Sequence, residues 1–210
     1  MTERPAYIHI EGMDLAGKTS AAGLFVARRS EPWEIKRNSL SERNQLRNIA
    51  DEMLELGGYH HETIGTVYAA ALMADLDRFE RPAVNTVQES TILLRSIAFH
   101  AINGNERVLQ LFEGMIDRHP QFDASFVLTA SHDVRLKRLS ERPNASNHDR
   151  LIARDPIRFS AMDALITQLA QQHFNATVID TSNLPVEAVV NRIESVTQNN
   201  QMIGPLEGGY

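Results

Sequence analysis

Short apolar runs alternate along the chain with longer stretches in which apolar residues recur every three or four positions. Tyr7-Ile8-His9-Ile10 reads as a strand, a Gly-rich turn follows at once, and residues 18–29 then read as a helix. Trp33-Glu34-Ile35-Lys36 is a second strand. Ser39-Leu40-Ser41-Glu42 has the spacing of a capping box, and behind it Leu46, Ile49, Ala50, Met53 and Leu54 keep helical spacing as far as Gly57-Gly58. The next helix covers about residues 62–81, with Ile64, Val67, Tyr68, Ala71 and Leu72 as its apolar stripe and Pro82 as its stop. Residues 83–89, 126–129 and 177–180 read as three further strands. Helical patterns fill 91–103, 106–117, 134–141, 156–173 and 186–197. Strands separated by helices require crossover connections, which produce a parallel sheet covered on both faces. The expected fold class is α/β: one three-layer domain over residues 1–197 with a sheet of about five parallel strands, and a flexible tail over 198–210.

Composition narrows the function. With 42% hydrophobic and 23% charged residues in 210, the chain buries a sizeable core and is not a disordered protein. Its 21 Lys and Arg against 27 Asp and Glu give a net charge of -6, so no nucleic-acid partner held by overall charge is expected. Cysteine is absent, which excludes disulfides, thiolate zinc sites and a cysteine nucleophile. No apolar run of about 18 residues occurs, so no membrane span is expected. Met1-Thr2-Glu3-Arg4-Pro5 lacks the apolar core of a signal peptide, and a cytoplasmic protein is expected.

The strongest chemical signal is Gly12-Met13-Asp14-Leu15-Ala16-Gly17-Lys18-Thr19, a complete match to G-x-x-x-x-G-K-[ST] between a strand and a helix. Gly12 and Gly17 let the backbone curl so that successive N–H groups point at phosphate oxygens, and the helix beginning near Lys18 and continuing through Ser20 adds its positive end. Lys18 reaches the β- and γ-phosphates of ATP, and Thr19 places a hydroxyl on Mg²⁺. Glu89 ends a strand, where sites in open parallel sheets gather. It either meets Mg²⁺ through water and takes the acceptor's proton, or is an acid stabilised by the following helix N-terminus.

Residues 133–158 hold Arg135, Lys137, Arg138, Arg142, Arg150, Arg154 and Arg158 against four acids, with the polar stretch Pro143-Asn144-Ala145-Ser146-Asn147-His148 in between. This suits a lid over about 142–154 that closes on the triphosphate, with Arg138, Arg142 and Arg150 neutralising the transferring group; the alternative is a solvated helix face. Arg37 and Arg78 are acceptor-side candidates. Tyr68 and Phe99 either stack on a base or belong to the core. His60-His61 is not a metal pair, because adjacent residues do not share a helix face.

The string from Ile8 to Ser20 resembles the start of thymidylate kinases, which read roughly FEGxDGxGKTT, and Glu11 and Asp14 make the match more specific than the general loop. Leu72-Met73-Ala74-Asp75-Leu76-Asp77-Arg78 resembles that family's helix ending in an arginine that faces the nucleobase. Leu136-Lys137-Arg138-Leu139-Ser140-Glu141-Arg142 resembles its approach to the lid, and Val178-Ile179-Asp180-Thr181-Ser182 its last strand. The resemblance implies a P-loop kinase that moves the γ-phosphoryl of ATP to a thymidylate-like nucleoside monophosphate, with Asp14 facing the acceptor and a homodimer formed through helices flanking the sheet. It also exposes departures. Lys36-Arg37-Asn38-Ser39-Leu40 stands where the family has an Arg-Glu-Pro-Gly-Gly-like stretch. Gln88-Glu89-Ser90-Thr91 stands where it has Asp-Arg-Tyr or Asp-Arg-His, and Arg95 is expected to replace the missing arginine beside Glu89. Two alternatives stay open: a kinase of an unphosphorylated nucleoside or sugar-like metabolite, and a regulatory nucleotide-binding protein without kinase activity. A GTPase would need an N-K-x-D motif, which the chain lacks.

Overall fold

The architecture, in a computed structural model, is described for residues 4–143 and 150–203. Its strands are β1 (Tyr7–Glu11), β2 (Trp33–Asn38), β3 (Asn85–Thr91), β4 (Ala124–Thr129) and β5 (Thr177–Asp180). They form one sheet in the order β2-β3-β1-β4-β5, and every neighbouring pair is parallel. The helices are α1 (Lys18–Ala27), α2 (Gln45–Leu56), α3 (His61–Asp77), α4 (Ile92–Ile102), α5 (Glu106–Glu113), α6 (His132–Ser140), α7 (Leu151–Arg154), α8 (Pro156–Phe174) and α9 (Val186–Ile203). The expected α/β class with five parallel strands is therefore what the chain adopts.

Side chains alternate along a strand, and all five residues of β1 are buried. Ile8 and Ile10 join Phe25 of α1, Phe126 of β4, and Val190 and Ile193 of α9 in one core layer. On the other face His9 stacks on Phe122 with ring centroids 4.4 Å apart. There Leu72, Leu93, Leu94, Phe112 and Leu169 from α3, α4, α5 and α8 build the second layer. A third cluster, Met13 with Ala98, Ile152, Phe159, Met162 and Ile166, seats the start of the Gly-rich loop on α4, α7 and α8. Each such side chain contributes about 1.5–3 kcal/mol by leaving water. Trp33 packs edge-on against Phe25 at 5.1 Å.

The boundaries differ from the sequence pattern in three places. Ser39-Leu40-Ser41-Glu42 caps no helix. Asn38 takes a left-handed turn at φ 61°, and the carboxylate of Asp75 on α3 accepts the N–H of Leu40 at 2.8 Å and the hydroxyl of Ser41. The segment is held as a loop, and α2 starts instead behind Asn44, whose side chain accepts the N–H of Arg47 at 3.0 Å. Helix α3 ends at Asp77, before Pro82. Helix α9 runs to Ile203, past the expected limit at 197, in a stretch of Gln, Met and Ile that favours helix more than its Asn residues oppose it. The rest of the expected tail, 204–210, and the lid stretch 144–149 lie outside the described residues.

Candidate active site

The loop between β1 and α1 is shaped by two glycines. Gly12 has φ 136°, and a Cβ there would sit 2.2 Å from the carbonyl oxygen of Leu128 on β4. Gly17, at φ 97°, is the N-cap of α1. Between them Leu15 also adopts φ 65°. The loop carbonyls are held one after another. Gly12 O accepts from Arg95 Nη2 at 3.0 Å, Met13 O from Lys18 Nζ at 3.0 Å, and Asp14 O from Arg135 Nη1 at 2.7 Å. Leu15 O accepts from Arg138 Nη1 at 2.8 Å, Ala16 O from Thr181 Oγ1 at 2.9 Å, and Gly17 O from the N–H of Ala21 at 3.0 Å. With its carbonyls so engaged, the loop offers its N–H side and the start of α1 to an anion.

Charges converge on this loop. Glu11, wholly buried, accepts the N–H of Gly12 and of Thr91, each at 3.0 Å, so one carboxylate joins the loop to the start of α4. Burial alone would raise its pKa. The ring of His9, 3.5 Å away, and the charges of Arg95 and Lys18 outweigh burial and hold it at about 2. Arg95 on α4 reaches Asp14 Oδ1 at 3.0 Å; burial opposes its charge, but the carboxylates of Asp14 and Glu11 prevail and raise its pKa. Burial, assisted by Arg95, pushes the Lys18 ammonium down to about 8 against the pull of Asp14, Glu11 and Glu89. Glu89, buried at the end of β3, accepts from Thr19 Oγ1 at 2.5 Å and from Arg37 Nε at 3.0 Å.

Three cavities open at the C-terminal ends of the strands, one of about 400 Å³ beyond β4 with Arg135, Phe159 and Asp163 in its wall, and two beside the loop. The larger of these two, about 890 Å³, runs along the loop from Asp14 to Ala21 and is closed by Arg37, Glu89, Arg138, Arg142 and Leu184 among others. The smaller, about 410 Å³, lies between α2, α3, α4 and α8, with Met13, Ile64, Tyr68, Phe99 and Met162 in its walls.

A family model for thymidylate kinase matches residues 10–193. The chain belongs to the thymidylate kinase family. No curated relative matches at the sequence level. Among solved structures, thymidylate kinase from Candida albicans superposes with a TM-score of 0.70 at 12% identity, covering 94% of this chain and 93% of that one. Deoxyadenosine kinase from M. mycoides, with products dCMP and dCDP bound, gives 0.61 at 16% identity over 92% and 99%. Thymidylate kinase from Ehrlichia chaffeensis gives 0.62 at 15% identity over 93% and 100%. At these identities the superpositions show the shared fold. Membership of the thymidylate kinase family makes the chain an ATP-dependent P-loop kinase of the nucleoside monophosphate class.

The structure distributes the expected site residues of this thymidylate kinase family member unevenly. Gly12 through Ser20 form the loop and the first turn of α1, and Asp14, Arg37, Glu89 and Arg95 gather beside it. Arg95 lines the same cavity as Glu89 and feels its charge, but its hydrogen bonds go elsewhere. It turns back along α4 to Asp14 and the Gly12 carbonyl, and Arg37, from the neighbouring strand, is the arginine on Glu89. Arg78 is displaced from the site: it is the exposed C-cap of α3 and lines neither of the two cavities beside the loop, because the cavity wall uses the opposite end of that helix, from His61 to Tyr68. Arg138 stands in the wall of the larger cavity with its guanidinium on Leu15 O and on Thr181. Arg142 is exposed and lines the same cavity, whereas Arg150 is exposed at the start of α7 and is not among the lining residues. Tyr68 and Phe99 do line the smaller cavity; the Tyr68 hydroxyl donates to Asp51 at 2.5 Å.

Sequence reasoning gave no site role to Arg135 or Thr181 and did not single out Asp163. A usable signal was present: Asp163 interrupts the apolar positions Phe159, Met162 and Ile166 of one helix, and a charge on an apolar face implies a partner. Arg135 lies one turn from Arg138 on the same face of α6.

Proposed function

We propose that this kinase holds MgATP in the larger cavity and a nucleoside monophosphate in the smaller one, and transfers the γ-phosphoryl where they meet. One observation carries the assignment: Asp14, Asn38 and Arg95 line both cavities, so a donor phosphate on the loop and an acceptor between α2 and α4 would face each other across those side chains. Lys18 and the loop amides would bind the β- and γ-phosphates, and Leu184, Val186 and Val189 give the far side of the larger cavity an apolar surface for a base. Thr19 and Glu89 are the residues that would hold Mg²⁺. A hydroxyl and a carboxylate oxygen 2.5 Å apart are hard donors of the kind this ion takes, and it draws its remaining ligands from phosphates and water. When bound, the ion neutralises charge on the transferring group.

On the acceptor side, Tyr68, Phe99, Ile64 and Met162 suit a nucleobase, Arg95, which lines both cavities, would supply a cation for its phosphate, and Arg37, in the wall of the larger cavity, would reach that phosphate where the two cavities meet. Asp14 would orient the acceptor. A phosphate oxygen needs no general base at neutral pH, which leaves Glu89 to the metal and to Arg37. Arg142 and Arg150 would reach the triphosphate when the lid closes. Thymidylate is the first acceptor to try. The same proposal makes the enzyme cytoplasmic and a homodimer. Among the described residues, no helix is long and apolar enough to cross a membrane.

The test is ADP release with dTMP, other nucleoside monophosphates and unphosphorylated nucleosides, for wild type, Lys18→Ala and Arg37→Ala. Lys18→Ala should lose turnover on the order of 10²-fold or more, the scale for removing one preorganised electrostatic donor. Arg37→Ala should raise the KM for the monophosphate more than that for ATP. One feature favours an alternative acceptor, an unphosphorylated nucleoside: Ser90 follows Glu89 where the family carries an arginine. Activity on nucleosides alone, indifferent to the loss of Arg37, would replace the monophosphate assignment with that one.

A further inference from the structure

Arg135 is 1% exposed, one of the largest fully buried side chains in the molecule, and lies on α6 outside the cavity that receives the phosphates. All three nitrogens of its guanidinium donate. Nε donates to Ala130 O at 2.8 Å, Nη1 to Asp14 O at 2.7 Å, and Nη2 to both oxygens of Asp163 on α8, at 2.8 and 2.9 Å. The ring of Phe159 lies 5.1 Å from the guanidinium carbon. A buried ion pair is a poor device for stability alone, since an apolar pair of the same volume is often as good or better. What an apolar pair cannot do is hold one carbonyl in one direction.

The carbonyl held is that of Asp14, the residue before Leu15, whose φ of 65° marks the sharpest non-glycine turn of the loop. Rotation of the Asp14–Leu15 peptide would move the Leu15 N–H away from the phosphate side and bring a carbonyl oxygen towards the anion. The side chain of Asp14 is fixed separately by Arg95 on α4. Asp14 is thus gripped by its backbone from α6 and by its carboxylate from α4. We propose that Arg135, oriented by Asp163, is a positioning residue that sets the direction of the Asp14–Leu15 peptide and so completes the anion-binding face of the loop, without touching the nucleotide. Nη2 spans both Asp163 oxygens while Nε is held on Ala130 O, so the plane of the guanidinium is fixed when Nη1 meets Asp14 O.

The proposal rests on ATP binding at the loop, so the test reads that binding directly and needs no acceptor. Calorimetry with MgATP is run on wild type, Arg135→Met and Asp163→Asn at a temperature well below the unliganded melting point of each. Amide exchange is followed across the loop and across β1 and β4. Arg135→Met should weaken MgATP binding on the order of 10²-fold, the scale for losing one hydrogen bond that involves a charged group. Exchange should rise at Leu15 and Ala16 while the β1 and β4 amides stay protected. Asp163→Asn keeps one acceptor for the guanidinium and should lose about a tenth of that ratio, roughly 10-fold. It also serves as the deciding variant if Arg135→Met does not fold. Wild-type ATP affinity in the folded variants would overturn the proposal, as would an affinity loss matched by equal loss of protection in the core strands. A wild type that binds no MgATP would overturn the donor-site assignment instead.

Discussion

Lys18 shows how one buried charge sets the working range of the site. In the unliganded protein its ammonium is bonded to Met13 O and burial brings its pKa to about 8. A bound triphosphate replaces the lost water with negative charge and favours the ammonium again. The kcat/KM for ATP, which reports the free enzyme, should therefore fall as pH rises through about 8, while kcat, which reports the bound complex, holds to higher pH. Stability of the unliganded protein has the opposite trend. Between about 8 and the ordinary value of 10.5 the unfolded chain carries the Lys18 proton and the folded chain does not, so stability gains from rising pH across that window. A pH series of kcat/KM, with melting of Lys18→Met beside wild type, checks both trends; parallel melting slopes across that window would refute the second. The residues of the loop were legible because a contiguous motif carries its own geometry. Arg135, Asp163 and the Glu11–Arg95 contact were not, because their partners lie on other elements. Arg78 was misplaced because sequence order along α3 does not say which end of that helix meets the cavity.

At the scale of elements, period-2 and period-3.6 patterns located the strands and helices, since both depend on which face is buried. Local capping logic failed at Ser39, where a tertiary contact to Asp75 outcompeted a helix start and Asn44 took over. Asn44 is itself tied to Ala71 O at 2.8 Å, so the entry to α2 is fixed by α3 rather than by its own preference. The proposed lid would follow different rules, because its arginines would act on a charge that exists only during transfer. Arg142, already in the wall of the larger cavity, and Arg150, at the start of α7, should contribute mostly in the transition state. Alanine at either position should lower kcat on the order of 10-fold to 10²-fold with a smaller change in the KM for ATP. Initial rates over a full ATP titration separate the two parameters. A change confined to KM would reduce these arginines to simple recognition.

At the scale of the whole molecule, alternation of strands and helices implied a parallel sheet but not the order of its strands. That order, β2-β3-β1-β4-β5, places the chain's reversal beside β1, with β3 on one side and β4 on the other. The crevice at such a switch point is where a loop leaving β1 can meet groups from β2, β3 and β4, which is why Arg37, Glu89 and the Leu128 carbonyl converge on it. For the proposed homodimer, α2 offers a candidate surface. Helix α2 carries Leu46, Ile49, Met53 and Leu56 at a spacing of one turn, and three of them are exposed, by 37%, 47% and 71% respectively for Leu46, Ile49 and Leu56. Met73 on the adjoining α3 is 43% exposed. An apolar stripe of this kind on paired helices is suited to burial against a second copy. Sedimentation should give a dimer for wild type and a monomer for Ile49→Glu, which places a charge in the middle of the stripe. Arg47, Asp51, Leu54 and Glu55 of the same helix line the smaller cavity, and the larger cavity takes nothing from α2. Loss of the dimer should therefore raise the KM for the acceptor while leaving that for ATP close to wild type. A wild type that sediments as a monomer at working concentration, with Ile49→Glu kinetically unchanged, would show that the α2 stripe is not a subunit interface.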